Sequence, residues 1–271
     1  MIKEEYLMNR LDAKLKLLKK SGRKALVAFV TAGFPTINET KNIVLAMESS
    51  GADIIELGVP FSDPIADGPT IQYSSEVALR TDVNLSSIIA MVKQLRNKTN
   101  IPILLMGYLN PFATRGISRT MKAIKASGVD GLIIPDIIVE ESGAVKKAVS
   151  DNGLSLVQFV APNTPTARMK MIDKAANSFV YVVSITGVTG GRSSMPSYLA
   201  KYLSTTSRMI KHPRFLGFGI SGPKQVLMYK KYVHGVIIGS ALVNIIKENN
   251  TPPKRINAIK RFIASIRAAL D

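Results

Sequence analysis

Ile54-Ile55-Glu56-Leu57-Gly58-Val59-Pro60-Phe61-Ser62-Asp63-Pro64-Ile65-Ala66-Asp67-Gly68-Pro69 begins as a short apolar run and turns at once into a loop of glycine, proline and aspartate. This is how a buried strand empties into a loop held for chemistry, because binding and catalytic residues concentrate on loops that a rigid scaffold positions. Three acids, Glu56, Asp63 and Asp67, crowd the exit, and the prolines and glycines between them fix the backbone.

Outward from this stretch the same alternation recurs in both directions. Upstream, Leu7, Leu11, Leu15 and Leu18 mark one face of an amphipathic helix over 2–20, and Ala25-Leu26-Val27-Ala28-Phe29-Val30-Thr31 reads as a strand buried on both faces. Thr36 and Glu39 form the pattern of a capping box ahead of a helix that runs through Ile43, Val44 and Met47 to Gly51. Downstream, strands are expected at 103–106, 132–134, 154–160, 179–184, 215–218 and 236–238. Helices are expected at 70–80, 85–97, 116–127, 141–151, 166–176, 196–209, after Pro223, and from Ser240 to near Glu248, with 107–112 read as a loop. A last helix follows Pro252-Pro253, with Ile256, Ile259, Ile263, Ile266 and Leu270 on one face. Gly51-Ala52-Asp53-Ile54-Ile55 and Gly128-Val129-Asp130-Gly131-Leu132-Ile133-Ile134 repeat one phrase: a glycine ending a helix, an aspartate, then an apolar strand.

Eight strand–helix units in 271 residues, with no break in composition, predict an α/β protein with one domain over 1–271. The expected architecture is a single (β/α)8 TIM barrel with extra N-terminal and C-terminal helices, since such barrels need roughly 250 residues. An open doubly wound sheet would want a glycine-rich fingerprint after its first strand, and Ala32-Gly33-Phe34-Pro35 is not one.

Composition narrows the function classes. The chain has no cysteine, so disulfides, thiol nucleophiles and thiolate metal sites are excluded. Lys3, Glu4 and Glu5 precede any apolar run, unlike a signal peptide, and no run approaches the roughly 20 residues of a membrane helix, so a soluble cytoplasmic protein is expected. The formal net charge of +17 raises nucleic-acid binding as a reading. The basic residues are scattered, however, and no aromatics interleave with them to make a stacking platform, so no nucleic-acid partner is expected. A basic surface would also draw phosphorylated substrates to the site.

In a barrel the working groups sit on the loops after the strands. The loop after the second strand holds the acids. The loop after the sixth holds Gly187, Thr189, Gly190 and Gly191, that after the seventh Gly219 and Ser221, and that after the eighth Gly239 and Ser240 at the mouth of a helix. Glycines can simply make turns. Three such exits in succession, the last opening a helix, fit a phosphate site, because glycine admits an anion to backbone N–H groups and a helix N-terminus adds a favourable dipole. The sixth loop, hinged by its glycines, is expected to act as a lid that carries Thr189 to the site.

Glu56 could be a rim residue paired with a lysine, but a carboxyl kept at the mouth of buried parallel strands acquires a raised pKa, as proton transfer near neutral pH requires. Asp67 could serve as a turn residue; with Glu56 it is read as a catalytic pair. Asp63 reads as structural. His212 and His234 lie outside the loop exits, and with so few histidines no metal site is expected.

Glu56 to Pro69 closely resembles the signature of the tryptophan synthase alpha chain family. The similarity extends over nearly the whole chain, through Phe29-Val30-Thr31-Ala32-Gly33, Met106-Gly107-Tyr108-Leu109-Asn110-Pro111, Gly187-Val188-Thr189-Gly190, Gly217-Phe218-Gly219-Ile220-Ser221 and Gly239-Ser240-Ala241. The resemblance implies a cofactor-free retro-aldol cleavage of indole-3-glycerol phosphate to indole and glyceraldehyde 3-phosphate, with Glu56 as proton carrier and Asp67 as acceptor of the indole N–H. It implies Phe29, Ile71, Leu105, Tyr181 and Phe218 around the indole ring, and Gly190, Gly219, Gly239 and Ser240 at the phosphate. It further implies a pyridoxal-phosphate beta chain as partner, in a heterotetramer of two alpha and two beta chains, facing residues 60–67, 110–112 and 186–192. One departure is visible: where the family has a proline two residues after Asp136, this chain reads Ile137-Ile138-Val139, which bears on the stiffness of that loop. The alternatives are another phosphate-binding barrel lyase or isomerase of aromatic amino-acid synthesis, and a non-catalytic subunit that only activates its partner.

Overall fold

The computed structural model describes residues 9–184, 195–217 and 219–271. The chain runs α1 (Arg10–Lys20), β1 (Ala25–Thr31), α2 (Ile37–Ser49), β2 (Ile54–Gly58), α3 (Pro69–Leu79), α4 (Leu85–Leu95) and β3 (Ile103–Met106). It continues through α5 (Leu109–Ala113), α6 (Ile117–Ser127), β4 (Gly131–Ile133), α7 (Gly143–Asp151), β5 (Ser155–Val160), α8 (Thr166–Ala175) and β6 (Val180–Val183). The last elements are α9 (Ser197–Met209), β7 (Arg214–Gly217), α10 (Pro223–Tyr229), β8 (Gly235–Ile238), α11 (Ser240–Glu248) and α12 (Pro252–Leu270). The strands pair in parallel, in sequence order, and β8 closes onto β1, giving the expected closed barrel. No described helix is long and apolar enough to cross a membrane.

Two apolar layers follow from the period-two alternation of strand side chains. Ala25, Val27, Ile54, Leu104, Ile133, Val157, Phe179, Phe215 and Ile237 fill the interior, with the rings of Phe179 and Phe215 stacked at 4.3 Å. Leu26, Ala28, Ile55, Leu57, Leu105 and Leu132 face the other way, into the layer between sheet and helices. Leu11 and Leu18 of α1 join the interior cluster and are buried, so this helix stops the end where the strands begin. Truncating either to alanine would cost about 2–5 kcal/mol. With that end filled by hydrocarbon, polar chemistry is left to the opposite mouth.

The repeated phrase has a physical basis. Gly51 and Gly128 both take positive φ, +109° and +94°, and end α2 and α6. Asp53 accepts from Leu26 N at 3.0 Å and pairs with Arg267 at 3.0 Å. Asp130 does the same two strands on, accepting from Ile103 N at 2.9 Å and pairing with Arg96 at 2.9 Å. A β-carbon on either glycine would run into the stem of the arginine, 2.9 Å from Arg267 Cγ and 2.8 Å from Arg96 Cγ. Each glycine therefore makes room for the guanidinium that neutralises the neighbouring buried aspartate.

Two local readings are corrected. The segment 107–112 is not all loop, because α5 forms there, with Leu109 N held by Asp136 at 3.0 Å and the Thr114 hydroxyl donating to Asn110 O at 2.8 Å. At α2 only half a capping box forms: Thr36 accepts from Glu39 N at 3.2 Å, whereas the Glu39 carboxylate goes to Arg255 of α12. A charged partner outcompetes a backbone N–H for that carboxylate.

Candidate active site

Glu56 lies on β2 in register with Phe29 of β1 and Leu104 of β3, so all three side chains point into the barrel. It is 1% exposed, and its Oε2 has no hydrogen-bond partner among the described residues. Burial, reinforced by the nearby negative charge of Asp67, pushes its pKa up from 4.5 to about 8. The carboxyl is therefore neutral at pH 7 and carries a proton it can give away.

Asp67 enters from the β2–α3 loop. Its backbone is tied by Asp67 N to Pro64 O at 3.2 Å and by Gln72 Nε2 to Asp67 O at 2.9 Å. Its Oδ2 accepts from the Tyr108 hydroxyl at 3.2 Å. Burial raises its pKa, and the Tyr108 hydrogen bond pulls it back down. Tyr181 of β6 faces the same space; burial raises its phenol well above the usual value, and the charges of Glu56 and Asp67 add to that.

Beside Asp67 lies a narrow pocket of about 10 Å³, lined by Phe29, Thr31, Gly58, Asp67, Ile71, Met106 and Tyr108 among others; Glu56 does not line it. That is room for no more than one water, so a bicyclic ring enters only if side chains move. The ring of Phe61, on the β2–α3 loop, stacks on Tyr108 at 5.2 Å. A larger cleft of about 930 Å³ opens on the outer side of the same loop, beside Ile65, Tyr73 and Leu79, but neither Glu56 nor Asp67 lines it.

Of the residues expected to bind substrate, Phe29 and Ile71 line the pocket and Tyr181 faces it. The ring of Phe29 fits because Gly58 has no side chain: a β-carbon there would lie 2.7 Å from Phe29 Cζ. Gly239 borders the same ring, with Phe29 Cδ1 at 3.6 Å from where a β-carbon would stand. Gly239 also opens α11 with no side-chain cap, and Ser240 is the first residue of that helix. Gly219 holds φ +76° in the β7–α10 connection. Thr189, Gly190 and Phe218 lie outside the described residues, as do Gly187, Gly191 and the expected lid.

Leu105 is a correction. It is wholly buried in the outer layer, in register with Leu57 and Leu132, and turned away from the acids. Its neighbours Leu104 and Met106 point inward, and Met106 lines the pocket. A shift of one residue along a strand exchanges the two faces, and Ile103-Leu104-Leu105-Met106 is apolar throughout, so its pattern could not say which face was which. Tyr108 was missed: its segment was part of the resemblance, but nothing in the linear sequence links it to Asp67. His212 is structural, with Nδ1 2.8 Å from Oδ1 of Asp173 on α8.

Comparison with known proteins agrees over nearly the whole length. A family model described as tryptophan synthase alpha chain matches residues 15–270. The tryptophan synthase alpha chain of Thermoanaerobacter sp. (strain X514) is 43% identical over 263 residues, covering 97% of this chain and 100% of the relative. The crystal structure of tryptophan synthase subunit alpha from Legionella pneumophila str. Paris superposes with a TM-score of 0.90 at 34% identity, covering 97% of this chain and 99% of that one. A chain of the tryptophan synthase two-alpha, two-beta complex from Pyrococcus furiosus superposes with a TM-score of 0.84 at 36% identity, covering 90% and 98%.

Proposed function

The chain belongs to the tryptophan synthase alpha chain family, and from that premise we infer that Glu56 and Asp67 divide the work of its reaction. The protein is a lyase of L-tryptophan biosynthesis that cleaves indole-3-glycerol phosphate to indole and glyceraldehyde 3-phosphate. Glu56, neutral at pH 7, gives its proton to the indole carbon that bears the glycerol chain. The ring nitrogen becomes cationic, and the Asp67 carboxylate accepts its N–H and stabilises the charge. The Glu56 carboxylate then takes the proton of the hydroxyl on the adjacent carbon. The carbon–carbon bond breaks, its electron pair returns to the ring, and the aldehyde forms. Glu56 ends protonated, as it began, so no cofactor is needed to balance the step.

The observation that carries this assignment is the fully buried Glu56, whose Oε2 has no hydrogen-bond partner among the described residues, beside a second carboxyl. A purely structural glutamate at that depth would be paired. Phe29, Ile71, Tyr181, Phe218 and, in place of Leu105, Met106 are proposed to hold the indole. The phosphate is proposed to sit on Gly219, Gly239 and Ser240 with Gly190 and Thr189, supported by the uncapped start of α11 and the left-handed Gly219.

The chain pairs with a tryptophan synthase beta chain, and we propose two alpha and two beta chains per assembly, as in the Pyrococcus furiosus complex. Residues 60–67, 110–112 and 186–192 would form the contact. We also propose one domain over 1–271 and a cytoplasmic location, in keeping with the absence of cysteine. The test is release of indole from indole-3-glycerol phosphate by the isolated chain and by the chain with its beta partner. Turnover that Glu56→Gln and Asp67→Asn both abolish supports the assignment, and wild-type turnover in either variant rejects it.

A further inference from the structure

We infer that Tyr108 is a positioning residue of this reaction: its phenol fixes the direction of the Asp67 carboxylate and stabilises its charged form through a hydrogen bond. The inference rests on the reading that Asp67 receives the indole N–H.

The geometry is specific. The Tyr108 oxygen accepts from Ala66 N at 2.8 Å and stands 3.2 Å from Asp67 Oδ2. A phenol has one proton. With a lone pair of the oxygen taken up by Ala66 N–H, that proton is directed to Asp67, and the bond is stronger to an ionised carboxylate than to a protonated carboxyl. Tyr108 is itself held. Its ring is 4% exposed and stacked on Phe61 at 5.2 Å, and the next residue, Leu109, donates its N–H to Asp136 at 3.0 Å. A side chain anchored between the β3 and β4 exits thus steadies an acid on a loop. Burial pushes its phenol up to about 12, so it remains a donor throughout the working pH range.

Asp67 needs this help. Among the described residues, Glu56 of β2 and Tyr181 of β6 are the other titratable groups in electrostatic contact with it, and Asp136 lies beyond Tyr108. Among the described residues no cation forms a salt bridge with Asp67, and no other side chain donates to its carboxylate. Among the described residues the phenol is the group that opposes the effect of burial, which favours the neutral form of Asp67, and a neutral carboxyl cannot stabilise a cationic ring.

Tyr108→Phe keeps the ring and its stacking and removes only the hydroxyl. Turnover and kcat/KM of the chain with its beta partner are measured from pH 5 to 9, beside Asp67→Asn. In the wild type the acidic limb reports ionisation of Asp67 and the alkaline limb loss of the Glu56 proton. The expected result is a kcat at pH 7 lowered by at least about tenfold, with KM changed less, and an acidic limb moved upward by about one pH unit, the alkaline limb staying in place. The Asp67 carboxyl, followed by carbon-13 NMR without substrate, should titrate at higher pH in Tyr108→Phe, a readout independent of activity. An unmoved acidic limb and an unmoved carboxyl titration would overturn the inference, including the case where kcat falls only because the fold is weakened. If Asp67→Asn turns over like the wild type, the role of Asp67 itself fails and the inference goes with it. If Asp67→Asn is dead while Tyr108→Phe is normal in rate and pH profile, only the role of Tyr108 fails.

Discussion

The ring of Tyr181 lies over Gly217, so closely that a β-carbon built on that glycine would overlap the phenol. Tyr181 is in register with Phe215, and Gly217 stands two residues further along β7 on the same inward face. The aromatic wall of the pocket therefore leans across a strand exit that must be bare.

Gly217→Ala should displace Tyr181 toward Glu56 and reduce a space that is already small. Overpacking of this kind costs about 1–3 kcal/mol of stability, measurable by urea denaturation. The KM for indole-3-glycerol phosphate should rise as well. An alanine variant with wild-type stability and KM would mean that the ring has room to move elsewhere.

Glu56→Gln preserves shape but cannot carry a proton between carbon and oxygen. Its kcat should fall at least about a hundredfold, the low end for acid–base catalysis, while substrate still binds, because the ring and phosphate contacts remain. More than a tenth of wild-type kcat would exclude Glu56 as proton carrier. Loss of substrate binding with little else changed would give it a structural role.

The same variant should change how stability depends on pH. The folded protein holds the Glu56 proton up to about pH 8, against 4.5 for an ordinary glutamate. Below about pH 4.5 both states are protonated and Glu56 carries no penalty. As the pH rises toward 8 the unfolded chain ionises while the folded one does not, and stability is lost, by on the order of a few kcal/mol once the folded carboxyl also ionises. Relative to wild type, Glu56→Gln should therefore gain stability between pH 5 and 9 in denaturation midpoints. A constant difference across that range would show that Glu56 does not titrate late.

Leu105 and Met106 separate the two faces of β3. Leu105→Ala should lose about 2–5 kcal/mol of stability and leave KM nearly unchanged, since its side chain lies in the outer layer. Met106→Ala should do the reverse, altering KM at a smaller cost, because the side chain is half-buried and lines the pocket. Denaturation and steady-state kinetics on the pair decide it, and a Leu105→Ala variant with a raised KM at unchanged stability would restore Leu105 to the site.

Gly219 at φ +76° resists any side chain. Gly219→Val should cost about 1–2 kcal/mol in backbone strain and, if the phosphate docks there, raise both the substrate KM and the inhibition constant of glycerol phosphate. Gly222, with φ near 180°, is extended backbone that alanine adopts freely, and Gly222→Ala serves as the control. Inhibition by glycerol phosphate that Gly219→Val leaves unchanged would move the anion site elsewhere.

Much of this protein was fixed by local sequence. The alternation of apolar runs with helical periodicity sets the order of elements, and the Gly-Xaa-Asp phrase ahead of β2 and β4 marks where helices must end and strands begin, since only glycine accepts those positive φ values beside an arginine. The acids after Ile54-Ile55 stood out because buried strand exits rarely keep carboxyls without a use. The tertiary structure alone decided three further points. Closure of β8 onto β1 is a long-range pairing that no window of sequence contains. The face on which Leu105 and Met106 lie follows from register, because a strand buried on both sides has no polar alternation to reveal it. The clasp of Tyr108 on Asp67 joins residues from different strand exits, and a hydrogen bond depends on distance and direction in space, neither of which is written in the spacing along the chain.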